Sequence, residues 1–209
     1  MNTTSHALPI TQPPTYPARP ISGGPLVLGT ILAGTWYYEP KYNGWRALVH
    51  VPSGTMWNRH NNPLTIQSEF TRALAKLKQT PFEWLDCEAL ERRHNLGRGT
   101  LIVLDAPVLS ASEDRPWTYE RRRQHLEQYF LMLNTDTKPQ ELEIYIPPSL
   151  PLANVWAINW YEQLKQINQR WNAEFYEGVV AKRAGSLYPL QTRSAKEEFP
   201  SWVKFRWHY

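Results

Sequence analysis

The 209-residue sequence predicts an α+β domain, and three observations lead there. Residues 46–51 and 55–59 are short β-type runs on either side of the turn-forming Pro52-Ser53-Gly54, so a hairpin and antiparallel pairing are expected. Stretches with apolar residues at helical spacing occur near 65–80, 118–133 and 155–171. Strands and helices follow one another without the steady alternation that builds a parallel sheet.

Along the chain, residues 1–24 carry Pro9, Pro13, Pro14, Pro17 and Pro20 with Gly23 and Gly24, which predicts an extended arm ahead of one main domain at 25–209. Thr65 is placed to cap a helix whose apolar face is Ile66, Phe70, Leu74 and Leu77, ending before Pro81. Residues 83–90 and 101–104 are strand candidates, separated by the polar, glycine-containing stretch 91–99. The helix at 118–133 presents Leu126, Tyr129, Phe130 and Leu133 on one stripe, and Arg121, Arg122 and Arg123 at its start read as a solvated face. A strand at 142–146 is stopped by Pro147 and Pro148; strands at 178–182 and 202–207 close the chain.

The formal charge of +4 suits an anionic partner. Cys87, the single cysteine, excludes an internal disulfide and a thiolate-rich zinc site and fits a reducing cytoplasm. No secretion signal is visible and the longest greasy run, residues 26–33, is too short for a bilayer, so no membrane partner is expected. The glycine-rich phosphate loop, the dinucleotide fingerprint and the zinc-protease and hydrolase-elbow motifs are all missing from the sequence. Phosphate handling therefore falls to side-chain charge.

Four segments offer such side chains. In Glu39-Pro40-Lys41-Tyr42-Asn43-Gly44-Trp45-Arg46, a lysine just before a turn can present its amine into a cleft, although Asn-Gly is first of all a turn signal. Alternation in Trp84-Leu85-Asp86-Cys87-Glu88-Ala89 puts Asp86 and Glu88 on one face, able to hold a sugar hydroxyl or magnesium, or simply to face solvent. Glu177 precedes the apolar run Gly178-Val179-Val180-Ala181 and then Lys182. On the last strand Trp202, Lys204 and Arg206 share a face opposite Val203, Phe205 and Trp207, which suggests a lined pocket.

In this order the segments resemble the covalent nucleotidyltransferase superfamily of ATP-dependent DNA ligases, RNA ligases and mRNA capping enzymes. Lys41-Tyr42-Asn43-Gly44-Trp45-Arg46 is similar to the nucleophile motif, and Asn58-Arg59-His60 with Leu64-Thr65 to the motif that follows. Leu85-Asp86-Cys87-Glu88 resembles the acidic strand, Val103-Leu104-Asp105 the strand beside the base, Glu177 to Lys182 the EGVVxK motif, and Trp202 to Arg206 the final KxK strand. The resemblance spans residues 36–206, including Tyr119 to Arg123 and the 188–193 segment.

It implies an ATP-grasp-like domain of antiparallel sheets flanked by helices. It also implies ATP as substrate, with Lys41 taking AMP through a lysyl-AMP bond, and Mg2+ as cofactor. Glu39, Arg46, Glu88, Leu104, Lys182, Lys204 and Arg206 are then nucleotide-binding, Glu177 and Glu88 metal-binding, and Arg59 nucleic-acid-binding. The implied partner is nicked DNA, with nicked RNA as the near alternative and a non-catalytic binding module as the distant one.

The sequence departs from the family pattern at four points. Asn43 replaces an aspartate, Leu104 an aromatic ring, and Arg206 the second lysine of KxK. No OB-fold domain follows the last strand, so the expectation is that either the first step proceeds without that clamp or a separate protein supplies it.

Overall fold

Alternation of apolar and polar residues gives each sheet one face to bury, and the helices supply the cover. The computed structural model describes residues 12–30, 32–90, 97–108, 116–130, 143–190 and 192–207. Among them a four-stranded sheet has the order β1 (Arg19–Ser22), β9 (Glu198–Arg206), β8 (Tyr176–Arg183), β2 (Trp36–Tyr42). A five-stranded sheet has the order β4 (Thr55–Asn58), β3 (Trp45–His50), β5 (Trp84–Leu90), β6 (Thr100–Val108), β7 (Ile144–Tyr145). All pairs are antiparallel except β1 with β9 and β6 with β7.

The five-stranded sheet buries Ala47, Val49, Leu85, Cys87, Ala89, Leu101 and Val103 against two helices, α1 (Thr71–Leu77) and α2 (Tyr119–Phe130). The four-stranded sheet buries Val179, Ala181, Val203 and Phe205 against α3 (Asn154–Trp171). Along α3, Ala157, Tyr161 and Leu164 recur at helical spacing on the buried side. Side chains the size of Tyr161 and Leu164 contribute about 1.5–3 kcal/mol each when removed from water. The helix ends where Asn172 turns left-handed at φ 48°, a conformation asparagine tolerates. No helix among the described residues is long and apolar enough to cross a membrane.

Three expectations are corrected. The stretch after Thr65 opens as a 3-10 turn (Gln67–Phe70) before α1, and neither segment has a side-chain cap, so Thr65 does not start the helix. Arg122 and Arg123, read as solvated, are 2% and 6% exposed because Asp105 on β6 and Glu39 on β2 lie beneath α2. The proline-rich 1–24 segment contributes residues 19–22 to the sheet as β1, an edge position that tolerates the missing amide of Pro20. Residues 1–11 of that arm, the stretch 91–96, and the expected ends of α2 (131–133) and of the strand at 142 lie outside the described residues.

Candidate active site

The two sheets are joined by the short crossing from β2 to β3. Asn43 and Gly44 carry the backbone from β2, where Lys41 pairs with Gly178, to β3, where Arg46 pairs with Glu88. The crossing is tight: a Cβ on Gly44 would sit 2.7 Å from the Ala89 carbonyl oxygen. The Asn43 side-chain amide donates to the Glu174 carbonyl at 3.1 Å, a contact for which an aspartate has no donor. The Gly44 N–H donates to Glu88 Oε1 at 3.0 Å, so the turn after the lysine also orients the acid on β5.

Around this crossing lies a cleft of about 730 Å³, the size of a small-molecule site. It brings together Glu39, Lys41, Arg46, Arg59, Glu88, Leu104, Glu177, Lys182, Lys204 and Arg206. Arg19, Lys41, Arg46, Arg59, Lys182, Lys196, Lys204 and Arg206 face three carboxylates, those of Glu39, Glu88 and Glu177. Eight cations against three carboxylates leave a local surplus of five, one more than the +4 of the whole chain, so the excess positive charge is focused here.

Lys41 Nζ donates to Glu177 Oε2 at 2.5 Å, and Arg206 Nη2 reaches the same oxygen at 3.0 Å. Strict alternation would send Glu177 into the core with Val179 and Ala181. The sequence predicts that it points opposite to Lys182, yet both line the cleft. A bulge is the reason: Lys41 pairs with Gly178 and Tyr42 with Tyr176, which leaves Glu177 as an extra residue turned toward the amine. Gly178 makes the bulge possible at φ 144°, where a Cβ would lie 1.9 Å from the Phe205 carbonyl oxygen. Gly178→Ala is expected to destabilise the domain by about 2 kcal/mol or more, measured by urea unfolding.

Asp86 and Glu88 have different tasks. Asp86, fully buried, takes both Arg46 Nε and Arg46 Nη2, the latter at 2.5 Å, and the Tyr188 hydroxyl at 2.5 Å. Burial opposes the Arg46 charge, but the Asp86 carboxylate outweighs it and holds the guanidinium more firmly protonated than usual. Glu88 is half-buried at the cleft; burial raises its carboxyl above the usual range, with Lys41 and Arg46 pulling the other way. Lys204 Nζ donates to the Pro20 carbonyl at 3.1 Å, and its ammonium is less favoured than usual because of burial and then the neighbouring Arg206 and Arg19 cations.

Glu39 sits deeper, at 1% exposure. Lys182 approaches its Oε2 at 2.9 Å, the Tyr119 hydroxyl bonds its Oε1, and Arg123 lies 3.9 Å away. Lys182 Nζ also donates to the Leu104 carbonyl at 2.7 Å and lies 4.2 Å from the Trp202 ring centroid. Lys182 thus ties β8 and β2 of one sheet to β6 of the other. Leu104 and Val180 remain as half-buried apolar walls. Arg59 stands exposed at the mouth, its Nε 3.1 Å from His60 Nε2.

The sequence named Asp86 as a possible sugar or magnesium ligand, whereas it is buried and holds Arg46 and Tyr188. Tyr119 and Tyr188 lay in segments that carry the resemblance, but their roles were not legible because their partners lie 80 and 102 residues away.

No family model matches the chain, and no curated protein matches it in sequence. Solved structures do. The ligase domain of M. tuberculosis LigD is similar with a TM-score of 0.58 at 22% identity, over 90% of this chain and 59% of that one. Chlorella virus DNA ligase-adenylate gives 0.57 at 14%, over 90% of this chain and 67% of that one. The ATP-dependent DNA ligase of bacteriophage T7, in complex with ATP, gives 0.50 at 17%, over 92% and 68%. The chain spans less than two thirds of the length of the first of these. At such identities it is the fold that is shared, and the fold of this chain is that of the nucleotidyltransferase domain of ATP-dependent DNA ligases.

Proposed function

We propose that the chain is an ATP-dependent polynucleotide ligase acting on nicked DNA, with Lys41 as its nucleophile. The observation that carries this reading is one amine, Lys41 Nζ, set 2.5 Å from Glu177 in a cleft where cations outnumber carboxylates. A primary amine that sheds its proton is a nucleophile, and anionic phosphate is the ligand such a cleft favours.

In the proposed first step Lys41 Nζ bonds the α-phosphorus of ATP, the bond from that phosphorus to the bridging oxygen breaks, and pyrophosphate leaves. The amine proton has Glu177 as its adjoining acceptor. Arg46, Lys204 and Arg206 offset charge on the phosphates, Glu88 takes the ribose, and Leu104 with Val180 flanks the base. A 5′-phosphate oxygen then takes AMP from Lys41, releasing the amine, and a 3′-hydroxyl displaces AMP to form the phosphodiester.

The acids present fit Mg2+. Among the described residues no group of three or more His, Cys, Asp or Glu side chains could hold a metal alone. Glu88 and Glu177 in one cleft suit an ion that takes one or two carboxylates together with substrate phosphate oxygens. Bound there, magnesium would supply charge neutralisation at the transferring phosphate.

The neighbours named as DNA ligases favour DNA over RNA as the strand sealed. Incubation with ATP, magnesium and a nicked DNA duplex, with the same nick in RNA as the second arm, tests the proposal. Sealing of the DNA nick is expected. Sealing of RNA alone transfers the reading to RNA ligation, and reversible nucleotide binding with no covalent product in either arm refutes the transfer chemistry.

A further inference from the structure

The segment read as an extended proline-rich arm supplies Pro17 to Pro20 as a wall of the cleft. Thr15 Oγ1 donates to the Pro189 carbonyl at 2.9 Å, Thr192 Oγ1 to the Tyr16 carbonyl at 3.2 Å, and the Ala18 N–H to the Tyr188 hydroxyl at 3.1 Å. From inside the cleft, Arg46 reaches the Ala18 carbonyl at 3.3 Å and Lys204 the Pro20 carbonyl at 3.1 Å. These anchors fix the backbone of the wall and engage the inner cations.

Two cations on the wall are not engaged in that way. Arg19, on β1, has its guanidinium 3.7 Å from Glu198 with both side chains 45% exposed, a pairing of little strength. Its Nη1 also reaches the Lys196 carbonyl at 3.4 Å, which brings the exposed Lys196 beside it. Both line the mouth of the cleft, as Arg59 does. The remainder of the chain outside the cleft carries no net positive charge, so the net surplus that attracts a polyanion lies at the cleft.

We propose that Arg19 and Lys196 form a phosphate rim that grips the backbone of the polynucleotide whose end enters the cleft. The proposal rests on the ligase reading, and it predicts unequal losses: Arg19 and Lys196 line the exposed part of the cleft, so strand binding depends on them more than loading of Lys41 from ATP does. Fixed on a built wall, the two cations give positioning without base selectivity.

The test is direct binding of a nicked DNA duplex at several salt concentrations, with Lys41 labelling measured in parallel. For Arg19→Ala/Lys196→Ala the slope of log K against log salt is expected to shrink by about 2, and affinity to fall about tenfold or more near 0.15 M salt. Labelling of Lys41 at saturating ATP should fall less than duplex affinity does, because neither side chain touches Lys41 or Glu177. Glu198→Gln frees Arg19 and is expected to tighten binding, a gain that misfolding cannot produce. Unchanged slope and affinity in the double variant, or a parent that does not bind the duplex, overturns the rim. Failure of the parent to label Lys41 while the slope still shifts overturns the ligase reading and leaves the rim standing.

Discussion

Lys41→Arg is expected to abolish transfer of AMP to the protein, with labelling down by about a thousandfold or more. The substitution preserves a cation beside Glu177, where the lysine side chain is 17% exposed, so fold and cleft charge survive. What it removes is the chemistry: a guanidinium holds its proton at any physiological pH and offers no free amine lone pair. Lys41→Ala should lose labelling as well, but it also leaves Glu177 with only Arg206 at its Oε2. The arginine variant therefore isolates nucleophilicity from charge. Labelling at parent level in Lys41→Arg, measured with radiolabelled ATP, contradicts the assignment.

The largest stability effect is expected at Asp105. Its carboxylate receives Arg122 Nε at 2.7 Å and Nη2 at 3.0 Å, with the two side chains 1% and 2% exposed. Removing one member of a buried pair strands the other, at a cost of about 3–5 kcal/mol. Asp105→Asn should thus lower the melting temperature by roughly 6–20 °C, at about 2–4 °C per kcal/mol for a domain of this size. Replacing both partners with apolar residues should cost far less than Asp105→Asn alone.

The same pair carries a pH dependence. Burial alone would raise the Asp105 carboxyl, but Arg122 outweighs it and holds the folded value below the usual carboxylate range. A depressed carboxylate stabilises the folded state at pH values above its unfolded pKa of about 3.9 and loses that contribution as pH falls through the lower folded value. Melting curves from pH 6 downward should therefore converge for parent and Asp105→Asn in strong acid. A constant gap between them across that range contradicts the pairing.

Patterns of period two and turn chemistry were legible in the sequence because they are local. The hairpin at Pro52-Ser53-Gly54, the core face Leu85, Cys87, Ala89 and the alternation of β9 all follow from residues a few positions apart. The mixed sheets match the α+β expectation, and the order of motifs pointed to the fold later found in the solved ligase structures. What failed to show was non-local. A parallel edge strand at Arg19–Ser22 exists because β9, far along the chain, offers a free edge. The bulge that turns Glu177 toward Lys41 is invisible to a rule of strict alternation, and only Gly178 hinted at it. Arg122 and Arg123 looked solvated because the groups that cover them, Asp105 for Arg122 and Glu39 with the Pro147 carbonyl for Arg123, lie far away in the sequence; the Glu127 partner of Arg123 is local.

The cleft residues were named from motif resemblance, and geometry adds what each is held by. Asn43 illustrates the gain. As a departure from an aspartate it suggested a missing charge, whereas its amide ties the β2–β3 crossing to Glu174 by donating a hydrogen bond to the backbone carbonyl. Lys182 likewise becomes a tie between sheets, with Leu104 and Glu39 on either side of its ammonium.

The most direct test of the account is peptide mapping of the protein after exposure to ATP and magnesium. AMP is expected on the peptide containing Lys41, attached through an acid-labile phosphorus–nitrogen bond. A nucleotide recovered on a different side chain, or a Lys41 peptide that stays unmodified at saturating ATP, would contradict it.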